Sequence, residues 1–196
     1  MNHFEVFGLE RRLGIDAEAL QRRFYELSRR YHPDFHARTT PAEQAQALEA
    51  SARLNAAYRT LRDPIARVDY LVRLEEGRET KEGATEKPKA PPELLEEMFE
   101  IQEALAEARA GGLDEATRRT LTEQRERLLA RQREEEARLT GPLSARWDAA
   151  TTASERTAIL AACKQALAAR AYLRTVIDDL GQALGEGDEI VAHHRH

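Results

Sequence analysis

Apolar residues in this chain recur at three- and four-residue intervals, and no segment sustains the strict alternation of a strand. Leu20, Phe24, Leu27 and Tyr31 make one stripe at i, i+4, i+7 and i+11, which predicts an amphipathic helix. Asp16 is a good N-cap for it, and Ile15 and Leu20 stand at the positions of a hydrophobic staple. At about 100° per residue, Arg22, Arg23, Arg29 and Arg30 fall on the opposite half of that helix. Pro33 ends it, because proline lacks an N–H and clashes with the preceding turn, and it pushes His32 towards an extended conformation. The next helix starts with Thr40 as cap, Pro41 in the first position and Glu43 closing a capping box; Ala47, Ser51, Leu54, Tyr58 and Leu61 follow at helical spacing. Asp63-Pro64 restarts the chain, and Ile65, Val68, Tyr70, Leu71 and Leu74 predict a last short helix. "NHFEVFGL" reads as a short helix or turn ending near Gly8. Two amphipathic helices joined by "HPDFHARTT" should pair as an antiparallel hairpin, with His32, Pro33 and Asp34 at an exposed tip beside the basic face.

After this the periodicity stops. "GRETKEGATEKPKAPPE", Gly77 to Glu93, holds three prolines, two glycines and three of the four lysines of the chain, and reads as a linker. Three further helices are expected: "ELLEEMFEIQEALAEARA" up to Gly111-Gly112, a second from the cap candidate Asp114 to about Leu139 where "TGP" ends it, and a third from about Ser154 to Leu184. Antiparallel packing of three such helices is the economical arrangement. The expected fold is therefore all-α, with modules at 1–75 and 93–196, a linker at 76–92 and a loose tail from about 186.

Composition narrows the function classes. The chain has 196 residues, 41% hydrophobic and 33% charged, with no apolar run near the roughly 20 residues of a membrane span. Its first residues lack the basic start and apolar core of a secretion signal, so a cytoplasmic protein is expected. The single cysteine, Cys163, sits among apolar residues on a helix and reads as a core thiol, which excludes a disulfide scaffold or a cysteine-rich metal site within one chain. Net charge is −5. Residues 1–75 hold twelve arginines, no lysine and eleven acidic residues, while the remainder is acidic, so the two modules should meet different partners and nucleic acid is not one of them.

The broken helix "RRYHPDFHAR" admits several chemistries. His32 and His36 lie four apart like a metal pair, but Pro33 forbids a regular helix between them and no third ligand is evident. A His/Asp acid–base pair needs a concave pocket, and a hairpin tip is convex. A purely structural turn remains open. So does a protein-docking tip, in which the arginines match an acidic surface and His-Pro-Asp is the specific element.

"YHPD" after a basic helix, followed by a helix ending "LNAAYRTLRDP", resembles a J-domain over about residues 3–75. The tokens are Tyr31 to Asp34, then Asn55, Ala57, Tyr58, Leu61, Asp63 and Pro64. The opening "NHFEVFGLE", with an aromatic before "FGL", is similar to the HscB-type co-chaperones. So are the absence of a Gly/Phe-rich segment and of a cysteine zinc module, the helix "ELLEEMFEIQEAL" and "RWDAA" at Trp147. This resemblance implies a bacterial co-chaperone for a DnaK/HscA-type ATPase, docking through the basic helix (Arg22, Arg23, Arg29, Arg30) and triggering ATP hydrolysis through His32, Pro33 and Asp34. It implies a C-terminal bundle that presents the iron–sulfur cluster scaffold protein. It implies no enzyme activity and no cofactor or metal of the chain's own; no membrane partner and a monomeric state are also expected. Glu96 departs from the family pattern, where an apolar residue is expected; the stretch from Trp147 to Tyr172, the family's aromatic position, looks longer than usual; and "HHRH" (His193, His194 and His196) has no counterpart.

The first helix of the second module points the same way. Leu94, Met98, Ile101 and Leu105 form an ordinary core stripe, while Leu95 and Phe99 lie about 100–140° round from it. Beyond them Glu96, Glu100, Glu103 and Glu107 form an acidic row. Apolar anchors with a charged rim are what a partner surface looks like. The alternative is a wide apolar arc packed on two neighbouring helices. With the resemblance, the scaffold-binding set is expected to be Leu95, Phe99, Glu100, Glu103, Glu107 and Tyr172. The rival functions are a J-domain co-chaperone for another client, and a structural protein that self-associates through Leu95 and Phe99.

Overall fold

The computed structural model describes residues 1–31, 40–77 and 95–185, apart from the side chains of Glu96, Glu97 and Arg109. Every regular element among them is helical, so the fold is all-α. The order is α1 (His3–Phe7), α2 (Ala17–Tyr31), α3 (Pro41–Arg62), α4 (Pro64–Glu75), α5 (Leu95–Gly111), α6 (Glu115–Arg138), a π-helical turn (Leu139–Leu143), α7 (Ser144–Ala149) and α8 (Ala153–Ala183). They form two compact units, one of Met1–Glu82 and Leu139–Cys163, the other of Gly83–Arg138 and Lys164–His196.

In the first unit, local chemistry sets the helix ends. Asn2 and Glu5 make a reciprocal capping box on α1, and Gly8 closes it at φ +67°, a left-handed conformation that glycine reaches at little cost. The Asp16 carboxylate accepts from the N–H groups of Glu18 and Ala19 to start α2. Thr40 and Glu43 make the expected capping box on α3, and Asp63 caps α4 by accepting from Ile65 and Ala66. α2 and α3 pack together, with the Phe24 ring stacked on Tyr58 at 4.1 Å between centroids. Phe4, Leu20, Leu27, Leu54, Ala57, Leu61, Val68 and Leu71 are buried beneath this hairpin and its flanking helices. The Tyr70 hydroxyl of α4 accepts from the His3 N–H of α1 at 2.9 Å, and the His3 ring stacks on the Tyr70 ring at 4.2 Å between centroids.

The unit boundaries differ from the division the sequence suggested, which gave all of 93–196 to one bundle. Pro142 lacks an N–H, so the regular ladder cannot run through it, and the chain passes from α6 through a wide turn into α7 instead of simply ending a helix. The Ser144 hydroxyl donates to the Leu139 carbonyl across that turn. α7 then packs against the N-terminal residues: the Trp147 indole N–H donates to the Arg11 carbonyl at 2.9 Å, and the Asp148 carboxylate accepts from the N–H groups of Leu13 and Gly14, each at 2.7 Å. Contacts between residues some 135 positions apart have no local signature, which is why the sequence pattern assigned this segment elsewhere.

In the second unit α5, α6 and the later part of α8 enclose Met98, Ile101, Leu105, Leu121, Leu128, Leu173, Val176, Ile177, Leu180 and Leu184. Gly112, at φ +83°, makes the turn after α5, and Asp114 caps α6 by accepting from Thr117 N–H at 2.7 Å. The Arg170 guanidinium pairs with Glu136 at 2.6 Å between α8 and α6. Full burial of each Leu or Ile is worth about 1.5–3 kcal/mol, so this cluster rather than the surface ion pairs holds the bundle.

Candidate functional site

The basic half of α2 is where the arginine spacing placed it. Arg22, Arg23, Arg29 and Arg30 are all exposed, while Leu20 and Leu27 are buried and Phe24 and Tyr31 half-buried on the other side. Along the helix, Arg22 pairs with Glu18 at 3.5 Å and Arg23 with Glu26 at 3.0 Å. Such exposed pairs are worth only about 0.3–0.5 kcal/mol and rearrange easily for an incoming carboxylate. The Arg30 guanidinium lies 5.9 Å from the centroid of the Tyr31 ring. Tyr25 was missed by the stripe analysis. It is 55% exposed, with Arg22 three residues before it and Arg29 four after, so a large aromatic sits inside the basic face. Its placement off the apolar stripe was the signal, since an aromatic on the polar half of a helix has no core to fill. The His32, Pro33 and Asp34 triplet, and His36, lie outside the described residues; they belong to the segment joining α2 to α3.

A buried arginine supports the N-terminal end of α2. Arg67 of α4 donates through Nε to the Leu61 carbonyl at 2.7 Å and through Nη1 to the Leu13 carbonyl. Burial pulls its pKa down, and the charges of Asp148 and Asp63 offset part of that shift. Nothing in a single sequence distinguishes this arginine from an exposed one. The Leu13 carbonyl of the loop and the Leu61 carbonyl at the end of α3 need donors and keep it inside.

In the second unit, α5 divides its apolar residues in two. Met98, Ile101 and Leu105 are buried, whereas Leu95 is 46% and Phe99 77% exposed. Glu100, Glu103 and Glu107 are exposed on the same helix; Leu94 and the side chain of Glu96 lie outside the described residues. Tyr172 of α8 is half-buried against the bundle core, and desolvation raises its phenol pKa. The linker from 78, and the tail from 186 with His193, His194 and His196, also lie outside the described residues. No described helix is long and apolar enough to cross a membrane.

Two family models match this chain, a DnaJ domain over residues 2–70 and an HSCB C-terminal oligomerisation domain over residues 90–168. The chain belongs to the HscB-type J-domain co-chaperones. Its fold agrees with solved members. Chaperone HscB from Vibrio cholerae superimposes with a TM-score of 0.59 at 22% identity, covering 95% of this chain and 99% of that one. The human co-chaperone protein HscB gives a TM-score of 0.63 at 24% identity, covering 93% of this chain and 81% of that one. An HscB-type protein is a co-chaperone of iron–sulfur cluster assembly and works with a DnaK-type chaperone. The exposed basic face of α2 therefore belongs to a J-domain, and α5 to the domain that follows it in HscB.

Proposed function

We propose that this HscB-type protein docks on a DnaK/HscA-type ATPase through Arg22, Arg23, Arg29 and Arg30, and that His32, Pro33 and Asp34 trigger ATP hydrolysis. Leu95 and Phe99, edged by Glu100, Glu103 and Glu107, bind the iron–sulfur cluster scaffold protein and bring it to the ATPase. Tyr172 contributes apolar area at the edge of this surface. One observation carries the client half of this reading: Phe99 is 77% exposed on a helix whose Met98, Ile101 and Leu105 are buried. An exposed aromatic of that size makes few internal contacts, and aromatic anchors beside a charged rim are the usual centre of a protein interface. Two partners held on one molecule meet at a raised effective concentration, so scaffold and co-chaperone together stimulate the ATPase more than either does alone. The test is calorimetric titration of the intact protein with a cluster scaffold protein, with and without Leu95→Ala and Phe99→Ala. Binding that is unchanged by both substitutions sinks the client assignment.

A second reading has its own support. The description of the matching C-terminal family model is an oligomerisation domain, and the same exposed pair would serve a second copy of the chain. The expected state is a monomer in the cytoplasm. Sedimentation separates the two: a concentration-dependent dimer lost on Phe99→Asp favours self-association.

A further inference from the structure

The loop between α1 and α2, residues 9–16, is held mainly by side chains from elsewhere in its unit. Trp147 N–H donates to the Arg11 carbonyl, Asp148 accepts from Leu13 N–H and Gly14 N–H, and Arg67 donates to the Leu13 carbonyl. Four main-chain groups within four residues are thus satisfied by three side chains, two of them from α7. Leu13 is buried, and Arg156 of α8 covers the Trp147 ring at 5.5 Å. The fit is close: a Cβ on Gly14 would stand 2.9 Å from Asp148 Oδ2. The last residue of the loop, Asp16, caps α2. Phe7, Leu9, Ile15 and Leu20 line an apolar groove of about 400 Å³ between the loop and α2, and Arg23 of the basic face stands at the same groove.

We propose that Asp148 is a positioning residue for chaperone docking: from the C-terminal half of the sequence, it fixes the loop that starts the basic helix, so the J-domain of this protein is completed by α7. This rests on the docking reading above, and on a general cost. A binding surface whose supporting loop is loose must order that loop on association, which weakens affinity without changing the chemistry that follows. Asp148 touches no partner residue in this account; it acts through Leu13 and Gly14.

The test uses the full-length chain. Asp148→Ala should speed hydrogen exchange at the Leu13 and Gly14 amides while leaving amides in the middle of α3, such as Leu54, unchanged. It should raise the concentration giving half-maximal stimulation of a purified DnaK-type ATPase by about tenfold, the equivalent of one net charge-assisted hydrogen bond, and leave maximal stimulation intact. Gly14→Ala attacks the same contact from the loop side and should shift the same two readouts. In the Asp148→Ala background it should add nothing, because the oxygen it would meet is gone. If Asp148→Ala does not fold, Gly14→Ala alone decides. Unchanged exchange at Leu13 and Gly14 overturns the proposal, and so does faster exchange with an unaltered half-maximal concentration. An unsubstituted protein that gives no stimulation would instead mark failure of the docking reading, and the exchange rates would then decide the clasp by themselves.

Discussion

Leu95 and Phe99 stand one turn apart on α5 and are both exposed, while Met98 between them is buried. The two faces of one helix should therefore respond differently to truncation. Leu95→Ala with Phe99→Ala should cost about 1 kcal/mol or less for the pair, since few internal contacts are lost. Met98→Ala or Ile101→Ala should each cost about 2–5 kcal/mol. Thermal unfolding followed by helical circular dichroism reads both. A double exposed-face variant that melts far below the unsubstituted protein would make this face a packing surface.

The basic face should give two separable kinetic effects. Reversing Arg23 and Arg30 to Glu should slow association with the ATPase, and that slowing should shrink between about 50 and 500 mM salt, as expected for exposed charges. Tyr25→Ala removes an exposed aromatic instead, so it should speed dissociation with little salt dependence. Surface-based binding kinetics at several ionic strengths distinguish them. A salt-insensitive association rate for the unsubstituted protein counts against steering.

Arg67 should behave as a buried, bonded charge. Arg67→Met leaves the Leu13 and Leu61 carbonyls without their donor, which should cost about 2–4 kcal/mol even though the replacement fills similar space. Arg67→Lys should recover only part, because one ammonium cannot match the spread of a guanidinium fork. Denaturant unfolding checks this, and a Met variant as stable as the original would show that water replaces the lost donors.

Acid should weaken the starts of α6 and α8. Asp114 is held below its usual pKa by the Thr117 N–H, and Glu155 by the N–H groups of Thr152 and Thr151. A carboxylate whose folded pKa is lowered contributes stability above its unfolded value and loses it as pH falls through the folded one. For Glu155 that loss begins below its ordinary value of 4.5. Glu155→Gln should flatten the acid limb of the stability profile, measured by thermal melts from pH 7 to pH 3. An unchanged acid limb would place the acid sensitivity elsewhere.

Much of this fold is legible because helix ends are local chemistry. Asp16, Thr40–Glu43, Asp63-Pro64 and Asp114 each cap the helix that the apolar spacing predicts. The same reasoning could have found the Asn2–Glu5 box, and also the Thr152–Glu155 pair that starts α8 one residue before the predicted Ser154. The angular offset singles out Leu95 and Phe99 on α5 but leaves an exposed surface and a wide packed arc both open, because an outer helix with two neighbours needs the same pattern. What the pattern cannot supply are contacts made only after folding. Asp148 looks like any surface carboxylate until Leu13 and Gly14 arrive beside it, and Arg67 looks solvated until the Leu13 carbonyl of the loop and the Leu61 carbonyl at the end of α3 meet its guanidinium. Both belong to the loop 9–16 clasp, where the chain returns to its own beginning.

The proposed role of His32, Pro33 and Asp34 as the trigger of ATP hydrolysis is tested by ATP turnover of a DnaK-type chaperone with the intact protein and with its Asp34→Asn variant. The sequence pattern puts Asp34 at an exposed hairpin tip, and substitutions at such positions usually cost within about 0.5 kcal/mol, so helical signal and melting temperature should be unchanged. Stimulation should be abolished, with or without a cluster scaffold protein present. An Asp34→Asn protein that is folded and stimulates the ATPase as well as the original would contradict the account.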